Sequence, residues 1–149
     1  MIFIKVKFVK VREGAKAPEQ GSKLAAGYDL SACIPDLERV IIRPGETVKI
    51  PSGLAMAYPQ GYFGAVCARS GLATKSGLAP ANKIGILDED YRGEIFIALH
   101  NHSSETQVVN HGDRIAQLVF LPYLNVDFIE SDKLDETERG DKGFGSSGV

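Results

Sequence analysis

Residues Ile84 to Glu94 read Ile-Gly-Ile-Leu-Asp-Glu-Asp-Tyr-Arg-Gly-Glu, so an apolar segment runs directly into three consecutive acidic residues. After Gly93 the alternation of apolar side chains resumes as far as Leu99, and this pattern predicts a β-hairpin with a functional tip. Adjacent carboxylates repel one another, and a turn with only a structural role could avoid this repulsion. Asp88 alone could still be an ordinary turn-capping residue, because Asp is common in tight turns.

The rest of the chain consists of short apolar segments separated by Gly and Pro. Turn signals at intervals of about ten residues predict an all-β sandwich or barrel. We predict one short helix at residues 70–76, and loops at 12–23 and 76–84. The predicted strands are residues 2–9, 25–32, two strands within 39–50 joined by a Pro-Gly turn, 54–58, 62–68, 106–109, 114–123 and 125–129.

Length and composition limit the possible classes of protein. A chain of 149 residues is long enough for one domain with a real core. Its charged fraction of 24%, hydrophobic fraction of 44% and net charge of -2 are ordinary for a globular protein. They give no reason to expect a nucleic acid or an anionic membrane as partner.

Composition changes near residue 131. Leu134 and Phe144 are almost the only large apolar residues between there and Val149, so this part cannot bury enough surface to order itself. We therefore predict a β-domain at residues 1–130 and a flexible glycine-rich arm at residues 131–149.

The start of the chain lacks the basic and apolar regions of a signal peptide, and no run is long enough to span a bilayer. We therefore expect a cytoplasmic protein with no membrane partner, or a nuclear or host-cell one if a virus encodes it.

Cysteine and histidine give little indication of a metal or disulfide framework. Cys33 and Cys67 are far apart and lack Cys-x-x-Cys spacing, which favours buried reduced thiols. His100 and His102 could share one strand face and bind a metal. Solvated loop histidines are the simpler interpretation, because no third ligand lies at a useful spacing.

The glycine-rich arm fits a G-x-G-x-x-G pattern at Gly143, Gly145 and Gly148. A dinucleotide-binding fold is excluded, because that fingerprint needs a strand before it and a helix after it, and only Val149 follows. The arm could instead wrap phosphates with backbone N–H groups and hydroxyls and stack an aromatic side chain on a ring. The alternative is a disordered terminus.

Two further segments could contact an anion. Residues 69–73, Arg-Ser-Gly-Leu-Ala, combine a guanidinium, a hydroxyl and a glycine that permits close backbone approach. Ser70 lacks the G-x-S-x-G pattern of a nucleophilic serine. Residues 112–118, Gly-Asp-Arg-Ile-Ala-Gln-Leu, most simply form a turn that enters a core strand.

Together these segments resemble the five ordered motifs of the trimeric dUTPase family, the deoxyuridine triphosphate nucleotidohydrolases. The resemblance spans most of the chain, and the third and fifth motifs are the specific ones. The motifs appear as residues 26–30, 69–73, 85–94, 112–118 and 139–148.

The resemblance implies a distorted jelly-roll or β-clip-like subunit in a homotrimer, with active sites at subunit interfaces and each arm closing over a neighbour's site. Asp88 would deprotonate the water that attacks the α-phosphorus of dUTP, which gives dUMP and pyrophosphate. Tyr91 would lie under the deoxyribose and exclude a 2′-hydroxyl group.

The same resemblance implies the remaining contacts. Mg²⁺ would be held by triphosphate oxygens and waters, with no direct protein ligand, and Asp29 would be structural. Arg139 would join Asp88 in catalysis from the arm. The substrate contacts would be Asn82 and the backbone of Gly85 and Ile86 for uracil, Arg69, Ser70, Gly71 and Gln117 for phosphates, and Phe144, Gly145, Ser146 and Ser147 from the arm.

The sequence departs from the family pattern at two points. Leu87 replaces the usual isoleucine or valine, and the loop at residues 76–84 is of the longer type, which affects the placement of Asn82. Two alternatives stay open: a dCTP deaminase-related enzyme, which usually has a glutamate at the hairpin and lacks the terminal motif, and a non-catalytic nucleotide-sensing or protein-binding module.

Overall fold

A computed structural model of the chain describes residues 4–143, and within them the fold is almost entirely β-structure. A single turn of 3₁₀ helix occupies Pro35–Leu37, and the α-helix α1 spans Ser70–Ser76. The strands are β1 Lys7–Lys10, β2 Glu19–Gln20, β3 Tyr28–Ser31, β4 Arg39–Ile42, β5 Thr47–Pro51, β6 Leu54–Ala57, β7 Tyr62–Cys67, β8 Leu78–Pro80, β9 Gly85–Leu87, β10 Phe96–Asn101, β11 Gln107–Asn110 and β12 Arg114–Pro122.

The strands form an all-β, jelly-roll-like arrangement of antiparallel sheets. The largest sheet has the order β2-β3-β12-β7-β9, and a second sheet has the order β5-β10-β8. Two smaller sheets pair β1 with β6 and β11 with β4. β12 is central to the largest sheet, where Gln117 lies opposite Asp29 of β3 on one side and Cys67 of β7 on the other.

The core lies between the inner faces of these sheets. Along β10, Ile97 and Leu99 are buried while the alternate residues Phe96 and Ala98 are only half-buried, as the period of a strand requires. Asn101 ends this inner row. Its amide donates to the carbonyl groups of Ile42 and Glu105 at 2.9 and 2.7 Å, so the buried polar group is satisfied.

Most strands and the helix form where the sequence predicts them. α1 begins at Ser70 and ends at Ser76, because Gly77 adopts the left-handed conformation and its N–H group bonds the carbonyls of Ala73 and Leu72. The loop predictions are incomplete. Short strands β2 and β8 lie within the predicted loops at residues 12–23 and 76–84.

The predicted hairpin at residues 84–99 is wrong as a pairing. β9 pairs with β7, whereas β10 pairs with β5 and β8, so the acidic turn connects two different sheets. The cause lies just before β10: the Ile95 N–H group donates to the carbonyl of Leu54 at 2.8 Å, and the Ser52 N–H group donates to the carbonyl of Ile95 at 3.0 Å. These bonds direct the chain away from β9.

The predicted strand at residues 125–129 is also absent from the described chain, which has no strand after Pro122. A strand needs a neighbour for its backbone hydrogen bonds, and no described strand pairs with this segment. Its apolar side chains are therefore exposed, with Val126 at 61%, Phe128 at 96% and Ile129 at 88%. The first strand is shorter than predicted, and Ile4 and Phe8 are largely exposed.

No helix in the part of the chain that the structure describes is long and apolar enough to cross a membrane.

The division of the chain into a β-domain at residues 1–130 and an arm at residues 131–149 stays a prediction.

Candidate active site

The acidic turn after β9 presents Asp88 at the surface. The turn closes through a 3.0 Å hydrogen bond from the Tyr91 N–H group to the carbonyl of Asp88. Arg92 donates to the carbonyl groups of Glu89 and Tyr91 at 2.6 and 2.9 Å. The acceptors of these bonds are backbone carbonyl groups. No described residue donates a hydrogen bond to the carboxylate of Asp88, so this carboxylate can accept a proton from a ligand or water.

Glu89 differs from Asp88 because its side chain is part of the structure. Its carboxylate accepts hydrogen bonds from the Tyr123 hydroxyl and from the N–H group of Gly61, both at 2.7 Å. These two bonds, the tyrosine first, lower the pKa of Glu89 below its ordinary value. One of the three clustered carboxylates is thus stabilised by hydrogen bonds.

Tyr91 is held in a folded-back position beside Asp88. Its hydroxyl group donates to the carbonyl of Glu94 at 2.9 Å. Gly93 permits this arrangement, because a Cβ atom there would lie 2.5 Å from the tyrosine oxygen. A pocket of about 230 Å³ lies next to the ring, and it is lined by Lys49, Ile86, Leu87, Asp88, Tyr91, Glu94 and Phe96.

The residues predicted to contact uracil lie at the start of β9. A Cβ atom on Gly85 would lie 3.3 Å from the side-chain nitrogen of Asn82, so the amide is against the glycine backbone. The Ile84 N–H group donates to the carbonyl of Asn82 at 2.7 Å, and Lys83 between them has a φ of 64°. The structure therefore brings Asn82, Gly85 and Ile86 together at one end of β9.

The predicted phosphate contacts form a second pocket, of about 200 Å³, whose lining includes Arg69, Ser70, Gly71, Arg114 and Gln117. Asp29 orients both arginines of this pocket. The guanidinium of Arg69 donates to the two carboxylate oxygens at 2.7 and 3.4 Å, and Arg114 donates to one of them at 3.0 Å. Two guanidinium groups share one carboxylate, which leaves a positive surface that suits an anion.

Gln117 is fixed at the edge of this pocket by its neighbours. Its amide nitrogen donates to the carbonyl of Ala68 at 2.8 Å. Gly27 makes room for it, because a Cβ atom there would overlap the amide oxygen of Gln117. The first, second and fourth sequence motifs therefore meet at one place.

The two pockets are separate, because no residue that lines the Asp88 pocket also lines the Arg69 pocket. Arg139 lies apart from both, with its side chain bonded to the carbonyl of Lys142 at 3.0 Å. The predicted contacts Phe144, Gly145, Ser146 and Ser147 lie outside the described residues.

His100 and His102 are not both solvated loop residues, which was the simpler interpretation of the sequence. His100 lies in β10, is half-buried and shares a 2.7 Å hydrogen bond with Thr47, because the strand is longer than predicted. The ring centroids of His100 and His102 are 4.3 Å apart. Burial lowers the pKa of His102, and the charges of His100 and Lys83 lower it further. No cluster of three or more possible metal-binding side chains occurs in residues 4–143.

Several residues near the pockets could not be found from sequence. Lys49 lines the Tyr91 pocket with its amine 4.2 Å from the centroid of the Phe96 ring, and Tyr123 binds Glu89. Neither residue belongs to a motif. Arg114 follows Gly112-Asp113 in the fourth motif, which is a signal that could have indicated it.

A family model described as dUTPase matches residues 13–148. The chain belongs to the dUTPase family. This confirms the resemblance inferred from the five motifs, and the matched range includes all of them.

Individual members of the dUTPase family match over almost the whole chain. The deoxyuridine 5′-triphosphate nucleotidohydrolase of Desulfitobacterium hafniense is 50% identical over 99% of this chain and 97% of its own length. The enzyme of that name from Maricaulis maris is 46% identical over 98% of this chain and 96% of its own. A mutant dUTPase of Staphylococcus bacteriophage 80alpha, solved with dUpNHpp, has a TM-score of 0.83 at 28% identity and covers 97% and 99% of the two chains.

Proposed function

We propose that this protein hydrolyses dUTP to dUMP and pyrophosphate, which limits uracil incorporation into DNA and supplies dUMP for dTTP synthesis. Its membership of the dUTPase family supports the overall reaction. The single observation that carries the mechanism is the exposed carboxylate of Asp88, which lines the Tyr91 pocket and receives no hydrogen bond from any described residue.

Asp88 acts as the general base. Its carboxylate takes a proton from a water molecule as the water oxygen bonds to the α-phosphorus, and the bond from that phosphorus to the bridging oxygen breaks, so pyrophosphate leaves. The closed turn supports this role, because backbone bonds fix the position of Asp88 while its side chain stays available.

Tyr91 and the start of β9 select the nucleoside. The ring of Tyr91 lies under the deoxyribose, where a 2′-hydroxyl group would clash with it. Backbone groups of Gly85 and Ile86, with the amide of Asn82, bind the uracil edge. A site that pairs with uracil leaves buried groups unpaired when cytosine enters, which disfavours dCTP.

Arg69, Ser70, Gly71 and Gln117 bind the phosphates. The positive pocket around Asp29 supports this assignment. Mg²⁺ is held by triphosphate oxygens and waters, which suits an ion that keeps several of its waters and binds through substrate phosphates. When bound, the ion would neutralise charge on the phosphates.

The complete site is formed by a homotrimer. Two observations support this: the Asp88 and Arg69 pockets are separate in one chain, and apolar side chains at residues 124–129 are exposed with no cover from the described part of their own chain. A neighbour supplies the missing half of each site. Its arm brings Arg139 to the reaction, and Phe144, Gly145, Ser146 and Ser147 to the substrate. The assembly works in the cytoplasm.

The decisive experiment measures pyrophosphate release from dUTP, UTP and dCTP, with and without Mg²⁺. We expect rapid release from dUTP alone, and only with Mg²⁺. Asp88→Asn should lower kcat by about 10² to 10⁴-fold, as loss of a general base does. Asp36→Asn, an exposed carboxylate on the 3₁₀ turn, is the matched control.

Other outcomes would contradict the proposal. If Asp88→Asn hydrolysed dUTP as fast as the unchanged protein, Asp88 would not be the general base. Ammonia release from dCTP would support a deaminase-related enzyme, and nucleotide binding without any turnover would support a sensing module.

A further inference from the structure

We propose that His100 and His102 form a two-histidine site for a divalent transition metal, with a preference for an ion such as Ni²⁺ that takes ligands at right angles. The site is separate from the Asp88 and Arg69 pockets, since neither histidine lines them. The inference does not depend on the proposed hydrolysis of dUTP.

The two histidines project from the same face at the end of β10. Asn101 between them is fully buried, so the residues on either side of it point to the opposite face of the sheet. The extended geometry continues to His102, because its N–H group donates to the carbonyl of Gly77 at 2.8 Å. The ring centroids of His100 and His102 are 4.3 Å apart, and the ring planes make an angle of 62°. Two imidazoles are thus held side by side by the strand.

Thr47 fixes the orientation of His100. The two residues are paired across β5 and β10, and Thr47 Oγ1 and His100 Nδ1 share a 2.7 Å hydrogen bond. With the proton on Nδ1, the lone pair of Nε2 is free to bind a metal. Proteins commonly orient a metal-binding imidazole in this way, through a hydrogen bond at its other nitrogen. No described residue hydrogen-bonds the ring of His102, so its nitrogens are also available.

The spacing of the rings suits two ligands at right angles. A metal ~2.1 Å from a ring nitrogen lies ~3.2 Å from the centroid of that ring, so imidazoles ~90° apart on the metal have centroids ~4.5 Å apart. The tetrahedral arrangement that Zn²⁺ prefers would need ~5.2 Å. The observed separation of 4.3 Å is close to the first value. Ions that take square-planar or tetragonal ligand sets, such as Ni²⁺ and Cu²⁺, therefore fit better than Zn²⁺.

Small side chains leave room for an ion and its waters beside His100. Ala98 precedes it on the same face of β10, and Ala79 lies opposite it on β8. The room is needed, because no group of three His, Cys, Asp or Glu side chains that could hold a metal occurs in residues 4–143. Water molecules would supply the remaining ligands.

The protonation of the histidines allows metal binding at neutral pH. A proton and a metal compete for the same lone pair, so a ligand histidine must be neutral. Burial lowers the pKa of His102, as do the charges of His100 and Lys83, so His102 is neutral at about pH 7. The charge of Lys83 also opposes an incoming cation. Lys83 is exposed, however, and its ammonium group is carried on a flexible stem that can move away.

The test measures Ni²⁺ binding by isothermal titration calorimetry, with the full-length protein and no histidine tag. Ni²⁺ is the probe because Cu²⁺ oxidises thiols, and Cys33 and Cys67 are both free. We expect the unchanged protein to bind Ni²⁺, and to bind Zn²⁺ more weakly. His100→Gln and His102→Gln should each abolish Ni²⁺ binding, because a single imidazole cannot chelate the ion.

His111 provides the matched control, because it is the third of the three histidines in the chain. Its Nδ1 atom accepts a 3.0 Å hydrogen bond from the Ile34 N–H group, and His111→Asn keeps an acceptor for that bond. This variant should bind Ni²⁺ as the unchanged protein does. Thr47→Val removes the hydroxyl that orients His100 and should weaken Ni²⁺ binding about tenfold. Thermal unfolding without metal checks that each variant is folded.

Three results would overturn the inference. If the unchanged protein does not bind Ni²⁺, the pair is not a metal site. If folded His100→Gln and His102→Gln still bind Ni²⁺ as tightly, the ion binds elsewhere. If Zn²⁺ binds more tightly than Ni²⁺, the preference for right-angled ligands is wrong. None of these results bears on the hydrolysis of dUTP, which the pyrophosphate assay measures separately.

Discussion

The carboxylate of Glu89 accepts a 2.7 Å hydrogen bond from the hydroxyl group of Tyr123, which lies just beyond the end of β12. The N–H group of Gly61, in the turn between β6 and β7, donates to the same oxygen. The turn that carries Asp88 is thereby joined to the largest sheet at a second place besides β9. Such support suits the base role proposed for Asp88, because a small displacement of a base from a bound water molecule costs rate.

The Glu89–Tyr123 bond should make stability depend on pH. It lowers the pKa of Glu89 in the folded protein. Its stabilising effect is therefore complete above the pKa of the unfolded state and is lost as pH falls through the folded-state pKa. We expect Tyr123→Phe to lower the free energy of unfolding at about pH 7 and to have a smaller effect near pH ~3, below the ordinary pKa of a glutamate, measured by urea unfolding.

Tyr62→Phe is the control for that prediction, because no described residue hydrogen-bonds the hydroxyl group of Tyr62. Its effect should be small and independent of pH. Equal destabilisation by Tyr123→Phe at both pH values would show that the carboxylate does not mediate the effect.

Gly27→Ala should impair phosphate binding without unfolding the protein. The new Cβ atom overlaps the amide oxygen of Gln117, and the flexible end of that side chain is what moves. We expect a higher KM for dUTP and a nearly unchanged melting temperature. Gln117→Ala should have a similar effect, and the double variant should be no worse than either. An additive double variant would mean that Gly27 acts in another way.

Gly53→Ala and Gly45→Ala separate backbone strain from crowding. Both glycines have positive φ, 71° and 74°, so alanine is strained at each by about 1 kcal/mol. At Gly53 the Cβ atom would also lie 2.6 Å from Ala15 Cβ and 2.8 Å from Cys33 Sγ, whereas nothing lies within 4 Å at Gly45. Chemical denaturation should show that Gly53→Ala loses about 1–3 kcal/mol more free energy of unfolding than Gly45→Ala. Equal losses in the two variants would show that crowding at Gly53 has no effect.

Removal of the chain after Glu138 should leave assembly intact and reduce turnover strongly. The described strands all end by Pro122, so the truncation removes no part of a described sheet. Size-exclusion chromatography and light scattering should give the same number of subunits as for the full chain, while the pyrophosphate assay should show a large loss of kcat. A truncated chain with full activity would exclude a catalytic role for Arg139 and the residues after it.

Much of the fold was predictable from local pattern, because alternation and turn residues depend on neighbours in sequence. Pairing was not. β4 and β5 are joined by a tight turn at Arg43–Glu46 yet belong to different sheets, since Gly45 and Glu46 bond the backbone of Asn101 instead of closing a hairpin. Nothing in the turn sequence specifies a partner so far along the chain.

The candidate site shows the same division. Asp88, Tyr91 and the phosphate-binding residues lie in motifs, so the sequence indicated them together. Lys49 lines the Tyr91 pocket from β5 and Tyr123 bonds Glu89 from beyond β12, so both reach the site only through folding. Contacts of this kind leave no mark on local spacing.

The central place of β12 has a consequence for synthesis. Asp29 of β3 and Arg114 of β12 are 85 positions apart and bond each other across adjacent strands. β3 and β7 both rest on β12, so on the ribosome these early strands emerge long before the strand that joins them. At about 5–20 residues per second the nascent chain waits several seconds with those edges open, and a chaperone that shields them would raise the yield of folded protein.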